Sequence, residues 1–599
     1  MPTHAQPKTP KVESWGRAHT VPSLHIALAW LLIAAALAAS VTSTHAQTQI
    51  ARTKHNLTAT GPGAFRSEGA GGTCVFCHTP HNANPTRGLW NRTLPAITYR
   101  LYESNTLQAQ LHQPTGSSRL CLSCHDGILA MANLRVSPRG APISLGPLTG
   151  LSALGSDLSH DHPVSFVYDS ALALRRGDLV DPLALPSAIR LDDKRELQCT
   201  SCHDAHDDRQ PKFLRMDNRS GALCMSCHRP RNWSGSAHAT STATWKGIGT
   251  NPWPQGAFST VAQNACLNCH RSHAAAHRQR LLAQSVEPAN CTVCHGGSVA
   301  SKNIEAEFAK PLHHPIEVNQ WVHEPGENPN TMPRHVACTD CHDPHAAGSA
   351  MGAPLAASGP LHGVSGVTAS GSSVAKAAFE YEVCSKCHGV REPTTPGITR
   401  QSGTRNIRLK IDPANRSYHP VATSGVNATI VGLDPGYTAS SVMTCTSCHN
   451  NDDWTPTGTS PRGPHGSRYE PILGWQYQTN DPTAESSQNY ALCYQCHNRS
   501  ILLGNQSQTF AHNRHVVDKQ VSCAVCHDAH GSRQNAHLID FMLRDRTGRS
   551  VVGASTAQHR LEYISLGPGR GQCYLSCHGV NHEPKSYPTT PSLPPPRPK

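Results

Sequence analysis

The residues of this chain that can do chemistry are gathered in one short pattern, Cys-x-x-Cys-His. It stands at Cys74/Cys77/His78, Cys121/Cys124/His125, Cys199/Cys202/His203, Cys224/Cys227/His228, Cys266/Cys269/His270 and Cys291/Cys294/His295. It returns at Cys338/Cys341/His342, Cys384/Cys387/His388, Cys445/Cys448/His449, Cys493/Cys496/His497 and Cys523/Cys526/His527. A twelfth copy, Cys573/Cys577/His578, is one residue longer. Two thiols at this spacing add across the two vinyl groups of a haem, and the adjoining imidazole supplies the proximal nitrogen to its iron. Zinc knuckles and redox dithiols use similar cysteine pairs but need no histidine after the second cysteine. The twelve copies take all 24 cysteines, leaving none for a structural disulfide. The expected cofactor is haem c, twelve per chain and covalently attached.

The opposite face of each iron decides between a wire and an enzyme. The chain has 39 histidines, of which 27 lie outside the motifs, against only 8 methionines, so bis-histidine ligation is expected. Copies alternate in type. After the odd-numbered motifs a second histidine follows three residues on, as His81, His206, His273, His345 and His530, while His449 is followed by Asn450, Asn451 and Asp452. The even-numbered motifs lack it. His162, His314 and His419 stand in His-Pro-Val/Ile boxes, and His55, His465, His515 and His582 complete the distal candidates. His238, His313, His335, His512 and His537 are reserves. Alternation on this scale is an internal repeat.

Positioning these sites does not call for a conventional core. The apolar share is 37%, aromatic residues are few, and 46 Gly and 46 Pro interrupt regular structure. The expected fold is mostly irregular coil with short α-helices and little β, wrapped around closely packed haems. A basic segment, an apolar run from Leu24 to Ala39 and Thr44-His45-Ala46 read as a signal peptide over 1–46, too short to span a bilayer. The rest divides into 47–230 with motifs 1–4, 231–390 with motifs 5–8, 391–585 with motifs 9–12, and a Pro-rich tail over 586–599. The formal charge of +12 is offset by haem propionates, at about −1 per ferric haem, which argues against nucleic-acid binding.

The doubled motifs, the His-Pro boxes, Gly463-Pro464-His465-Gly466 and the ending around Cys573, Cys577, His578 and His582 resemble the large multihaem c-type cytochromes of metal-reducing bacteria. More narrowly, they are similar to the doubled CxxCH family. The resemblance implies an exported electron carrier, periplasmic or extracellular, with other cytochromes or extracellular acceptors as partners and no integral membrane segment after signal cleavage. Two alternatives stay open: a subunit of a self-associating extracellular cytochrome filament, and a multihaem oxidoreductase with one open catalytic haem.

Overall fold

A computed structural model describes residues 50–588, apart from 69–71, 86–87, 138–144, 255, 317–323, 325–326, 329–330, 334, 349, 391, 393–396, 428–429 and 505–509. The expected signal peptide and all but the start of the Pro-rich tail lie outside the described residues. Most of the chain is coil punctuated by short helical turns, in keeping with its Gly and Pro content.

Three helices of nine or ten residues end on a motif histidine: α1 (Gly116–His125), α2 (Glu287–His295) and α3 (Glu380–His388). Helical spacing explains why, since Cys at i and i+3 and His at i+4 fall on one face. Acidic residues favour the start of α2 and α3, where Glu287, Glu380 and Glu382 occupy first turns. Eight other motifs are single turns, closed by the histidine N–H donating to the first cysteine's carbonyl at 2.8–3.0 Å. In motifs 3, 7 and 11 the histidine itself is already extended, with φ of −117°, −130° and −101°, so the turn ends there.

Two-residue antiparallel ladders join segments far apart in sequence. Leu312–His313 pairs with Gly466–Ser467, and Ser417–Tyr418 with Gly531–Ser532. Each leaves a candidate ligand beside each strand, His314 with His465 and His419 with His530.

The C-terminal region departs from the expectation of little β. Strands β1 (Val552–Gly553), β2 (Glu562–Ser565), β3 (Gly571–Cys577) and β4 (Val580–Tyr587) form an antiparallel sheet in which β3 pairs with all three others. The twelfth motif therefore stands on a strand and the turn after it. This sheet and motif 11 share the core of Val521, Val525, Phe541, Val552, Tyr563 and Leu575. The remaining clusters hold only three or four buried residues each, too few for a conventional core. Among the described residues no helix is long and apolar enough to cross a membrane.

Candidate haem-binding sites

The imidazoles fall into facing pairs. Motif histidines His78, His125, His203, His228, His270 and His295 face His206, His55, His273, His162, His345 and His238, with ring centres 6.1–6.3 Å apart. His342, His388, His449 and His527 face His465, His314, His530 and His512 at 6.1–6.4 Å. His419 lies beside His497. An iron with an imidazole nitrogen about 2 Å away on each side would set the ring centres about 6 Å apart, so the spacing fits a bis-histidine haem. Ring planes divide by motif type: 4–40° for the odd-numbered motifs from 1 to 11, and 64–87° for motifs 2, 4, 6 and 8.

The nitrogen behind each ring is also placed. Nδ1 of His125, His203, His270, His342 and His527 donates to the carbonyls of Ser152, Lys212, Arg280, Pro360 and His537 at 2.8–3.0 Å. That bond fixes the tautomer and leaves the Nε2 lone pair for a metal, as ligating histidines require. Burial holds the imidazoles of His228, His270, His295, His388, His449, His497, His512 and His527 down at about 4, and they are neutral at physiological pH. Protonation would remove the lone pair that a metal needs.

Distal candidates come in back-to-back couples that serve consecutive motifs. His206 and His55 face motifs 1 and 2, His273 and His162 motifs 3 and 4, and His345 and His238 motifs 5 and 6. His465 and His314 face motifs 7 and 8, and His530 and His419 face motifs 9 and 10. Couples are tied through the residue before the first member. His55, His238 and His314 donate Nδ1 to the carbonyls of Ala205, Pro344 and Pro464 at 3.4, 2.9 and 2.9 Å, and His419 does the same to Ala529. In the remaining couple the tie is the His162 N–H on the Ser272 carbonyl, 2.8 Å.

The Cys-His-Asp-x-His sequence explains how the first member swings away from its own motif. Asp204, Asp343 and Asp528 accept from the N–H of His206, His345 and His530 at 3.1, 2.9 and 3.0 Å. These Asx turns reverse the chain immediately after the motif. The histidine then faces the motif two places back, His345 facing His270 and His530 facing His449. His81 follows the first motif, which has no motif two places back, and it is exposed. Among the described residues no imidazole faces it.

Two paired histidines had only reserve status on sequence. His238 sits in the short helix Ala237–Thr240, capped by Ser236, and has no Pro after it. His512 shares one turn with His515. Neither context recurs, and what unites His238 with the His-Pro boxes is a tertiary bond, its Nδ1 on the Pro344 carbonyl. Of the other reserves, His335 contacts the Glu327 carboxylate at 3.4 Å, His313 packs edge-on against Phe308, and the His537 carbonyl accepts from His527.

Thiols of successive motifs are neighbours. Burial raises the Cys77 thiol, pushed up to about 12, and the nearby Cys124 adds to it; Cys202 beside Cys227, Cys269 beside Cys294, Cys341 beside Cys384, Cys448 beside Cys496 and Cys526 beside Cys573 repeat the relation. Between these couples the first cysteines meet. Cys121 lies beside Cys199, Cys224 beside Cys266, Cys291 beside Cys338, Cys384 beside Cys445 and Cys493 beside Cys523. Thiols of successive motifs are thus neighbours in sequence order.

Cys387 and Cys74 are exposed, while the other cysteines are part-buried. The reason at Cys387 is its place on α3. That helix buries Tyr381, Val383, Ser385 and Lys386 and reaches the surface at its last turn, where Cys387 stands. Cys387 still lies close enough to Cys341 of motif 7 to help raise that thiol.

Charged groups close to these sites fit haem carboxylates in one place. Arg280, whose carbonyl accepts from His270, buries Nε and Nη2 with no protein partner. A propionate would complete both. Arg92, fully buried, has both Nη atoms on the carbonyls of Met131, Ser123 and Ala130 and leaves Nε without a protein partner.

Two stretches, 194–232 and 259–300, match the family described as Doubled CXXCH motif. They contain motifs 3 and 4 and motifs 5 and 6. No curated protein matches the chain.

Proposed function

We propose that this chain, a multihaem c-type cytochrome of the Doubled CXXCH motif family, binds twelve haems and serves as an electron conduit in the cell envelope or outside the cell. Its role is respiration to extracellular acceptors, with other cytochromes or the acceptors themselves as partners. Covalent attachment of this kind belongs outside the cytoplasm.

The observation that supports this reading is the second imidazole facing motif after motif at 6.1–6.4 Å, with the thiols of successive motifs as neighbours. Each thiol would add across a vinyl group, its hydrogen passing to one carbon and its sulfur bonding the other, with no external oxidant. A haem so held supplies a one-electron ferric/ferrous couple. The paired histidines would hold each iron from both sides and leave no place for a substrate. Carbonyls behind Nδ1 keep the ligand rings from turning, so oxidation and reduction demand little rearrangement. Neighbouring thiols would set each haem beside the next, and no acid, base or nucleophile is needed.

The test is stoichiometry with ligand binding. Intact-mass analysis should give twelve haems, and the ferrous protein should bind carbon monoxide at none of them while still reducing ferric chelates. Stoichiometric carbon monoxide uptake in the unmodified protein, with turnover of nitrite or hydroxylamine, would favour an enzyme.

A further inference from the structure

We infer that the odd- and even-numbered sites form two interleaved redox levels, with the even-numbered sites taking electrons first, and that Asp161 is a positioning residue that holds the third site at the lower level. The inference rests on the cytochrome reading and adds to it an order of reduction along the chain.

The groups behind the distal imidazoles differ between the two kinds of site. His273, facing motif 3, donates Nδ1 to the Asp161 carboxylate at 3.1 Å, and His530, facing motif 9, donates Nδ1 to Asp528 at 3.2 Å. His206 and His345, facing motifs 1 and 5, have Asp204 and Asp343 at 3.6 and 3.8 Å from the same nitrogen. At the even-numbered sites Nδ1 of His55, His162, His238, His314 and His419 donates to a backbone carbonyl, a neutral acceptor. A carboxylate behind a ligand imidazole raises its basicity and so stabilises the more positive, ferric iron. Motif 7 departs from this pattern, because Nδ1 of His465 is buried without a protein partner.

Asp161 is the clearest of these carboxylates. Asp528 is offset by Arg400 and Lys410, and Asp204 by Arg215. Asp161 is buried and also accepts from the neutral Ala274 N–H at 3.2 Å. It stands directly before His162, which faces motif 4, so two adjacent residues reach an odd and an even site.

The ring planes act in the same direction. Facing imidazoles lie within 4–40° of each other at the odd-numbered motifs from 1 to 11 and cross at 64–87° at motifs 2, 4, 6 and 8. Backbone shape contributes to the difference. The helix runs through His125, His295 and His388 at even-numbered motifs, but the turn ends before the extended His203, His342 and His527 at odd-numbered ones. The filled π orbital of an imidazole stands perpendicular to its ring and raises the one iron d orbital that it overlaps. Parallel rings raise the same orbital of a pair and split it, whereas crossed rings raise one each and leave the pair nearly equal. Ferric low-spin iron has a vacancy in this set and is stabilised by the split; ferrous iron fills the set and gains nothing. Parallel rings therefore favour the ferric state, and crossed rings favour reduction. Electrons already held at even-numbered sites repel those approaching the odd-numbered neighbours, which widens the gap.

A redox titration of the full-length oxidised holoprotein, followed by electron paramagnetic resonance, decides the matter. Crossed rings give a strongly anisotropic ferric signal and parallel rings a rhombic one. Both should be present, and the anisotropic signal should fade first as dithionite supplies electrons, each turning one ferric iron ferrous. His238→Ala, at motif 6, should subtract from the anisotropic signal alone. Asp161→Asn keeps an oxygen for His273 and Ala274 and removes only the charge. It should move part of the rhombic signal to a higher midpoint potential, with the haem number by intact mass unchanged. A rhombic signal that fades first, or an Asp161→Asn titration identical to that of the parent, overturns the inference while leaving the cytochrome reading intact. A parent with no haem would refute that reading itself.

Discussion

His345 gives the sharpest test of how distant motifs are tied together. It follows motif 7 directly, yet its ring lies 6.3 Å from that of His270 in motif 5 and at 4° to it, while His342 faces His465. His345→Ala should therefore open the haem of motif 5. One of twelve irons becomes five-coordinate, about 8% of the haem absorbance, and the ferrous variant takes up one carbon monoxide. His465→Ala should separately open motif 7, and the double variant should take up two. The lost bond also releases a loop of about 75 residues between positions 270 and 345, whose closure by a cross-link is worth at most about 4 kcal/mol. Hydrogen exchange should show the opening free energy of the segment around 343–363 falling by no more than that. If the double variant took up only one equivalent, both histidines would serve the same iron, and the rule that the second histidine faces the motif two places back would fail.

Three further outcomes follow from particular contacts. Asp528 is buried with Lys410 and Arg400; burial pushes its carboxyl up, but the His530 hydrogen bond and the charges of Arg400 and Lys410 hold it well below the usual range. That stability is present above about pH 4 and is lost as pH falls through the depressed folded value, so Asp528→Asn should remove this acid limb and cost about 3–5 kcal/mol by urea titration. Arg92→Ala strips donors from three buried carbonyls and should lower the opening free energy around 123–136 by about 3 kcal/mol or more in hydrogen exchange, with Arg92→Lys recovering only part. His238→Ala should bind one carbon monoxide per ferrous chain at motif 6, whereas His81→Ala, at an exposed site, should bind none.

The local shape of eleven motifs was legible in the sequence because the spacing is local: Cys, Cys and His within one helical turn share a single face, and motifs 1 to 11 form such turns. The alternation of odd and even motifs was legible too, since Asp after the histidine encodes its own turn, as Asp343 does for His345. What the second histidine faces was not encoded locally. His238 reads as an ordinary loop histidine until Pro344, over a hundred residues later, offers its carbonyl, and His314 is set against His465 by a ladder of two residues. Exposure was not encoded locally either, for Cys387 shares its motif spacing with part-buried cysteines and differs from them only in what packs around α3. The twelfth motif shows the limit most clearly. Its residues match the attachment pattern with one insertion, but whether that insertion bulges a turn or keeps two thiols on one face of a strand depends on β2 and β4 lying alongside. Only tertiary pairing supplies those neighbours, and only it brings Asp481 to His578. Local spacing determines which atoms can bond to a haem, whereas the identity of the imidazole across the iron depends on long-range backbone hydrogen bonds that no short pattern carries.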